Sequence, residues 1–207
     1  MTSETTRRSA DRFEERRREL AESALATLGE LGYARTSLRE IAGNSEFSHG
    51  VLHYYFRDKL ELIVFCVRYY KARCVHRYDG VVEASTTAEE VLAGFTATLA
   101  ETLVEEAPMH RLWYDLRSQS LFEEDLREAV DAIDRTLEEM VWRVVVRYAE
   151  LLDVAVPTTS TLAYGLLDGV FQQALLGHTM GRDDAVPRLE EEVRTTMAMI
   201  FRDALAT

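Results

Sequence analysis

A chain of 207 residues, 47% of them hydrophobic, is long enough to bury a sizeable core. It contains no apolar run near the ~20 residues that cross a bilayer, and its start, MTSETTRRSA, lacks an apolar signal core, so membrane and secreted classes are set aside and a cytoplasmic location is expected. The net charge of −12 argues against a uniformly basic nucleic-acid binder, yet residues 1–60 carry 10 Lys or Arg against 10 Asp or Glu, whereas residues 61–207 carry 14 against 26.

Strand-like alternation is absent, and each of the three prolines, Pro108, Pro157 and Pro187, falls where one helical pattern gives way to another. The expected class is all-α, with about nine helices. The first helix is predicted over about Arg7 to Leu31, with Phe13, Leu20, Ala24, Leu28 and Leu31 as its apolar stripe, and it stops at Gly32. Arg7, Arg8, Arg12, Arg16, Arg17 and Arg18 crowd its start. Such a cluster can neutralise phosphates. Glu14, Glu15, Glu19 and Glu22 stand at i,i+3 and i,i+4 spacing from these arginines, so a solvated face of ion pairs reads equally well, with Arg7, Arg8 and Arg12 left freest.

The most informative stretch follows, RTSLREIAGNSEFSHGVLHYYFRDKLEL from Arg35 to Leu62. Leu38, Ile41 and Ala42 recur at helical spacing, Thr36 or Ser37 can cap that piece, and Arg39 and Glu40 stay outside. Gly43 and Asn44 punctuate the chain, Phe47 plugs the corner, and a second short helix begins at Ser48. Leu52, Tyr55 and Phe56 point inward. Ser48, His49, Gly50, Val51, His53 and Tyr54 then lie on or near an outward face, a mixture of donors and small groups that suits a DNA groove. Two helices meeting across a tight turn make a helix-turn-helix, whose second helix enters the major groove while the first crosses the backbone.

A fourth helix is predicted from Asp58, its cap, to about Tyr78. Lys59 sits in its first turn, where a phosphate is a natural neighbour. Cys66 and Cys74 lie on it eight residues apart, a rise of about 12 Å, which is too far for a disulfide within the helix. They read as buried thiols. After a loop through Gly80 to Thr87, helices are predicted over Ala88 to Glu106, Met109 to Ser118 and Phe122 to Leu152. The last two, about Thr159 to Thr179 and Val186 to Leu205, are apolar or small along more than one face and need a partner.

The helix-turn-helix resembles the tetracycline-repressor (TetR/AcrR) family of bacterial transcriptional regulators. The residues that carry the likeness are Thr36, Leu38, Arg39, Glu40, Ile41, Ala42, Ser48, Gly50, Leu52, Tyr54, Tyr55, Phe56 and Lys59. Three departures stand out: Ser45 and Glu46 replace the usual small pair before the turn, His49 replaces a basic residue, and His53 a tyrosine. Glu46 adds negative charge, and His49 supplies positive charge only when protonated.

The resemblance implies an N-terminal three-helix domain over 1–58 and a C-terminal helical ligand-binding and dimerisation domain over 59–207. It implies double-stranded DNA with an inverted-repeat operator as one partner, a small-molecule effector as another, and a homodimer through the last two helices. The expected DNA contacts are Thr36, Ser37, Arg39, Ser48, His49, Gly50, Val51, His53, Tyr54, Tyr55 and Lys59. Phe95, Met109, His110, Trp113, Tyr114, Trp142, Phe171, Gln172 and His178 are of the types that line an apolar pocket with a few polar anchors.

No catalytic group, cofactor or metal site is expected. His110 with Asp115, and His178 with Asp168, lack the spacing of a recognised metal site. Two other readings stay open: a helical-bundle enzyme or metal-binding protein, and a regulator-like protein that no longer binds DNA.

Overall fold

The computed structural model describes residues 2–202 and 204, with side chains at Arg7 and from Ala10 onward. Arg8 as a phosphate contact and Leu205 as the last helical residue lie outside the described residues. Every regular element among the described residues is an α-helix: α1 (Thr2–Arg35), α2 (Leu38–Gly43), α3 (His49–Tyr55), α4 (Lys59–Cys74), α5 (Asp79–Ala84), α6 (Ala88–Glu105), α7 (Ala107–Gln119), α8 (Glu124–Leu152), α9 (Ser160–Thr179) and α10 (Ala185–Phe201). Among the described residues, no helix is long and apolar enough to cross a membrane.

The helices gather into two compact units, Met1–Ala72 with Arg111–Val130, and Arg73–His110 with Asp131–Thr207. In the first, Leu20, Ala24 and Leu28 of α1 are fully buried, together with Leu52, Phe56, Leu62, Ile63 and Cys66. The predicted stripe of α1 holds at its centre, while Phe13 and Leu31 at its ends are half-buried. Both cysteines are buried, and neither forms a disulfide. Cys66 Sγ donates to Ala21 O at 3.6 Å, and complete burial pushes its thiol pKa well up, which suppresses the reactive thiolate.

In the second unit α6, α9 and α10 pack on one another. Val91, Leu103, Val193, Met197 and Phe201 are fully withdrawn from solvent there. Helix α6 starts in a reciprocal cap, with Glu90 N–H donating to Thr87 Oγ1 and the Glu90 carboxylate accepting from the backbone of Thr86 and Thr87.

Several boundaries differ from the sequence reading. The loop expected around Gly80 contains α5, and α4 ends at Cys74 rather than near Tyr78. Arg143, far along the chain in α8, donates to Val75 O at 2.8 Å and to Asp79 Oδ1 at 2.9 Å and so fixes the turn that separates the two helices. No window of local sequence contains that partner. Pro108 stands in the first turn of α7 rather than before it, where its missing N–H leaves no helical bond unmade.

The acceptor role of Glu90 has a pH consequence. Hydrogen bonds from the Thr86 backbone and hydroxyl, and from Thr87, hold its carboxyl below the ordinary carboxylate value. A carboxyl depressed in the folded state stabilises above its unfolded pKa and loses that contribution as pH falls through the folded value. Stability measured by urea denaturation should therefore fall between about pH 5 and pH 3, and Glu90→Gln should make that acid limb shallower. An unchanged limb would separate the cap from acid sensitivity.

Candidate nucleic-acid interface

The helix-turn-helix is assembled from the end of α1 outward. Helical geometry breaks at Gly32, with φ 74° and ψ 175°, a region open essentially to glycine alone. The polar groups released at this break find partners from three other places. Tyr33 N–H donates to Asp115 Oδ2 at 2.7 Å, Lys59 Nζ donates to Tyr33 O at 2.8 Å, and Thr36 Oγ1 donates to Gly32 O at 2.7 Å. The Lys59 ammonium also sits 4.3 Å from the centroid of the Tyr33 ring. Arg111 adds a bond to Gly29 O at 3.2 Å. Burial and the nearby carboxylates of Glu123 and Asp115 raise the Tyr33 phenol pKa, so it stays a neutral ring beneath the lysine.

From this clamp α2 starts at once. Ser37 caps it, its Oγ accepting from Glu40 N–H at 3.2 Å while Ser37 N–H donates to Glu40 Oε2 at 2.7 Å. The turn after Gly43 is closed by Ser45, whose Oγ accepts from Phe47 N–H. Phe47 is buried in the corner under the Arg16 guanidinium, 4.6 Å from its ring centroid. Ser48 then caps α3, accepting from Val51 N–H at 3.3 Å. Leu52 and the following Phe56 are fully buried. The opposite face of α3 is open: Ser48, His49, Gly50 and His53 are exposed, and Tyr54 is 73% exposed. Phe13 of α1 holds the end of the helix, with ring centroids 4.8 Å from Tyr55 and 6.3 Å from Tyr54.

The predicted contact set therefore divides. Ser37, Arg39, Ser48, His49, Gly50, His53 and Tyr54 lie on the surface, and Val51 is half-buried. Thr36 is only 2% exposed and braces the break in α1, which corrects its expected place as an exposed donor. Tyr55 is half-buried against Phe13, and the Lys59 ammonium is occupied at Tyr33.

The arginine cluster divides too. Arg17 bonds Glu61 at 2.8 Å beneath the rings of Phe56 and Phe65, and Arg16 pairs with Glu19. Arg7, Arg12 and Arg18 are exposed. Sequence reading placed Gly32 only as the end of α1 and Asp115 only beside His110, and it did not single out Tyr33, because the Tyr33–Asp115 bond spans 82 positions and leaves no local signature.

The expected pocket residues fall in both units. Trp113, 1% exposed, and half-buried Tyr114 belong to the first. In the second, Phe95 packs edge-on to Tyr78 at 5.2 Å and His110 edge-on to Phe171 at 4.7 Å. Met109, Trp142 and His178 are half-buried, and Gln172 is exposed. A separate open groove of about 530 Å³ runs between α9 and α10, floored by Gly165 and Gly169 and edged by Arg188 and Glu192. Among the described residues, no three His, Cys, Asp or Glu side chains come together to hold a metal ion.

Residues 20–64 match the family described as bacterial regulatory proteins, tetR family. That match spans the core of α1, the helix-turn-helix and the start of α4, and the family is one of transcriptional regulators. None of the curated proteins matches the chain.

Likeness of fold to solved transcriptional regulators extends well beyond the matched residues. A transcriptional regulator from Rhodococcus sp. Rha1 superposes with a TM-score of 0.72 at 18% identity, over 90% of this chain and 96% of that one. A TetR transcription regulator from Haloarcula marismortui ATCC 43049 gives 0.65 at 21% identity, over 94% and 98%. The transcriptional regulator FadR from Bacillus subtilis, in complex with stearoyl-CoA, gives 0.70 at 15% identity, over 86% and 96%. At these identities the likeness is one of fold.

Gly32 is the position at which the reading head is most easily disturbed. A Cβ there would stand 3.0 Å from Asp115 Oδ2, on a backbone that side chains rarely adopt. Gly32→Ala should cost on the order of 1–3 kcal/mol of stability, read as a lower urea midpoint. An unchanged midpoint would mean that the clamp carries little of the fold's free energy.

Proposed function

We propose that the chain is a ligand-responsive transcriptional regulator that reads an inverted-repeat operator as a homodimer. The observation that carries this reading is the open face of α3 within a tetR-family domain. Its polar side chains and Tyr54 are turned to solvent while Leu52 and Phe56 anchor the other face in the core. A packed hairpin would have no need of that exposed set. Ser48, His49, Gly50, Val51 and His53 would face base edges, and Ser37, Arg39 and Tyr54 would reach the flanking backbone. Arg7 and Arg12 would add phosphate contacts, offsetting the acidity of Glu46. The functional division is placed at 58/59, with α4 onward serving the effector and the partner subunit.

A second copy fits the face of α9 and α10. Leu162, Leu176, Met180 and Met199 are large apolar side chains left exposed there, and Gly165 and Gly169 permit close backbone approach. Two reading heads related by a two-fold axis engage both half-sites of a palindrome, which multiplies a modest single-site affinity. The aromatic residues around Phe95, His110 and Phe171 are the candidates for contact with an apolar effector. The acyl-CoA complex of FadR, a structure of this fold, supports that class of ligand. Release follows from linkage: an effector lowers DNA affinity only to the extent that it prefers the conformer that binds DNA poorly.

Selection of genomic fragments by the purified full-length chain tests the DNA reading. Enriched fragments should share an inverted repeat, and Tyr54→Ala should weaken their binding by ~10-fold or more while leaving thermal stability nearly unchanged, since its ring is largely solvent-exposed. Fragments bound equally well by Tyr54→Ala would overturn the assignment of this face. The dimer is tested separately by Gly169→Arg. A Cβ at Gly169 meets nothing within 4 Å in the single chain, so the protomer should fold, and light scattering should show the monomer mass. A dimer that persists in that variant places the interface elsewhere.

A further inference from the structure

We infer that His49 and His53 form a two-point chelating site for a borderline divalent transition-metal ion on the exposed face of α3. The residues stand four apart, in the segment His49-Gly50-Val51-Leu52-His53, which is the spacing that brings two imidazoles over the same face of a helix one turn apart. In the folded protein they meet there. The two ring centroids are 4.4 Å apart with an interplanar angle of 81°, and both side chains are exposed. Small rotations of two exposed rings at this separation bring one nitrogen from each within the ~2.0–2.1 Å of a metal–imidazole bond.

The backbone that carries them is held firmly, by the Ser48 cap at one end and buried Leu52 and Phe56 at the other. The chelating geometry is thus largely organised before the ion arrives. The remaining coordination positions go to water, since no third His, Cys, Asp or Glu joins the pair among the described residues. Imidazole pairs suit Cu²⁺, Ni²⁺ and Zn²⁺, with Cu²⁺ bound most tightly, and they discriminate against Mg²⁺ and Ca²⁺, which take oxygen donors.

The other three histidines are placed differently. His76 Nδ1 is hydrogen-bonded to Asp79 at 2.8 Å, His110 is buried against Phe171, and His178 lies half-buried in the last turn of α9. None is in ring contact with a second histidine among the described residues.

The site also has a consequence that rests on the DNA reading above. Chelation turns one nitrogen of each ring toward the metal and places a hydrated ion over the face offered to the groove. Metal and operator therefore compete for the same two side chains, and a transition-metal ion acts as an antagonist at the reading head itself.

The full-length chain, free of any polyhistidine tag, is titrated with Ni²⁺ and with Cu²⁺ by calorimetry, and Cu²⁺ coordination is read by electron paramagnetic resonance. One ion per chain should bind with a nitrogen-ligand signature. His49→Gln or His53→Gln should weaken it on the order of 100-fold through loss of the second tether, while His76→Gln and His178→Gln leave it unchanged. Circular dichroism shows that each variant is folded. Binding that is equally strong in His49→Gln and His53→Gln, or absent from the native chain, overturns the site.

Operator affinity measured with and without excess Ni²⁺ tests the competition. It should fall at least ~10-fold with the ion and recover on adding a chelator, in proportion to metal occupancy. Metal binding without any change in operator affinity overturns the antagonism and leaves the site standing. Failure of the metal-free chain to bind DNA counts against the regulator reading, not against the site, which is measured without DNA.

Discussion

The reading head of this protein depends on how α1 is closed. A helix that ends inside a packed domain leaves backbone donors and acceptors that must be satisfied, because each one left bare would cost as much as a lost hydrogen bond. Here the break at Gly32 exposes the Tyr33 amide and two carbonyls, and Asp115, Lys59 and Thr36 take them up. Three separate parts of the chain thereby converge on one point. The direction in which the chain leaves that point sets where α2 begins, and the Ser37 cap and the Ser45 turn then carry α3 to its place. Orientation of the exposed face of α3 is thus inherited from a helix end some fifteen residues earlier.

Charge follows the same division between framework and surface. Arg17, lying across two phenylalanine rings and bonded to Glu61, acts through packing and a partly buried ion pair. Lys59 is likewise held in the framework. The arginines that stay exposed, at positions 7, 12 and 18, are those with freedom to meet phosphate. An overall charge of −12 coexists with local clusters of arginine because the acidic excess lies after residue 60, while residues 1–60 balance 10 Lys or Arg against 10 Asp or Glu. At a Debye length of about 8–10 Å, local placement outweighs the net sum.

At the other end of the chain, α9 and α10 solve a different problem. They bury one face against α6 and leave glycines and large apolar groups on another. A Cβ at Gly177 would meet Ala185 at 3.5 Å, an ordinary van der Waals contact, where the two helices pack at their shared turn. The remaining small residues make the groove that a second copy is proposed to fill. That arrangement would give the operator its symmetry, since each protomer offers a single short helix to the duplex.

The amino-acid sequence alone determined the all-helical class, the register of the helix-turn-helix and the buried positions Leu38, Ile41, Leu52 and Phe56, because each depends on partners within four residues: apolar spacing, a capping hydroxyl, a glycine after the helix. Only the tertiary structure decided that Thr36 faces inward, that Lys59 is engaged at Tyr33, that α5 exists, and that Asp115 completes the end of α1. Their partners stand 4, 26, 64 and 82 positions away. Even the nearest of these, the Gly32 carbonyl, becomes available to Thr36 only because the backbone breaks there. A hydrogen bond across such a distance leaves no periodicity in the sequence, and the residue that makes it is indistinguishable from an exposed donor until the chain has folded around it.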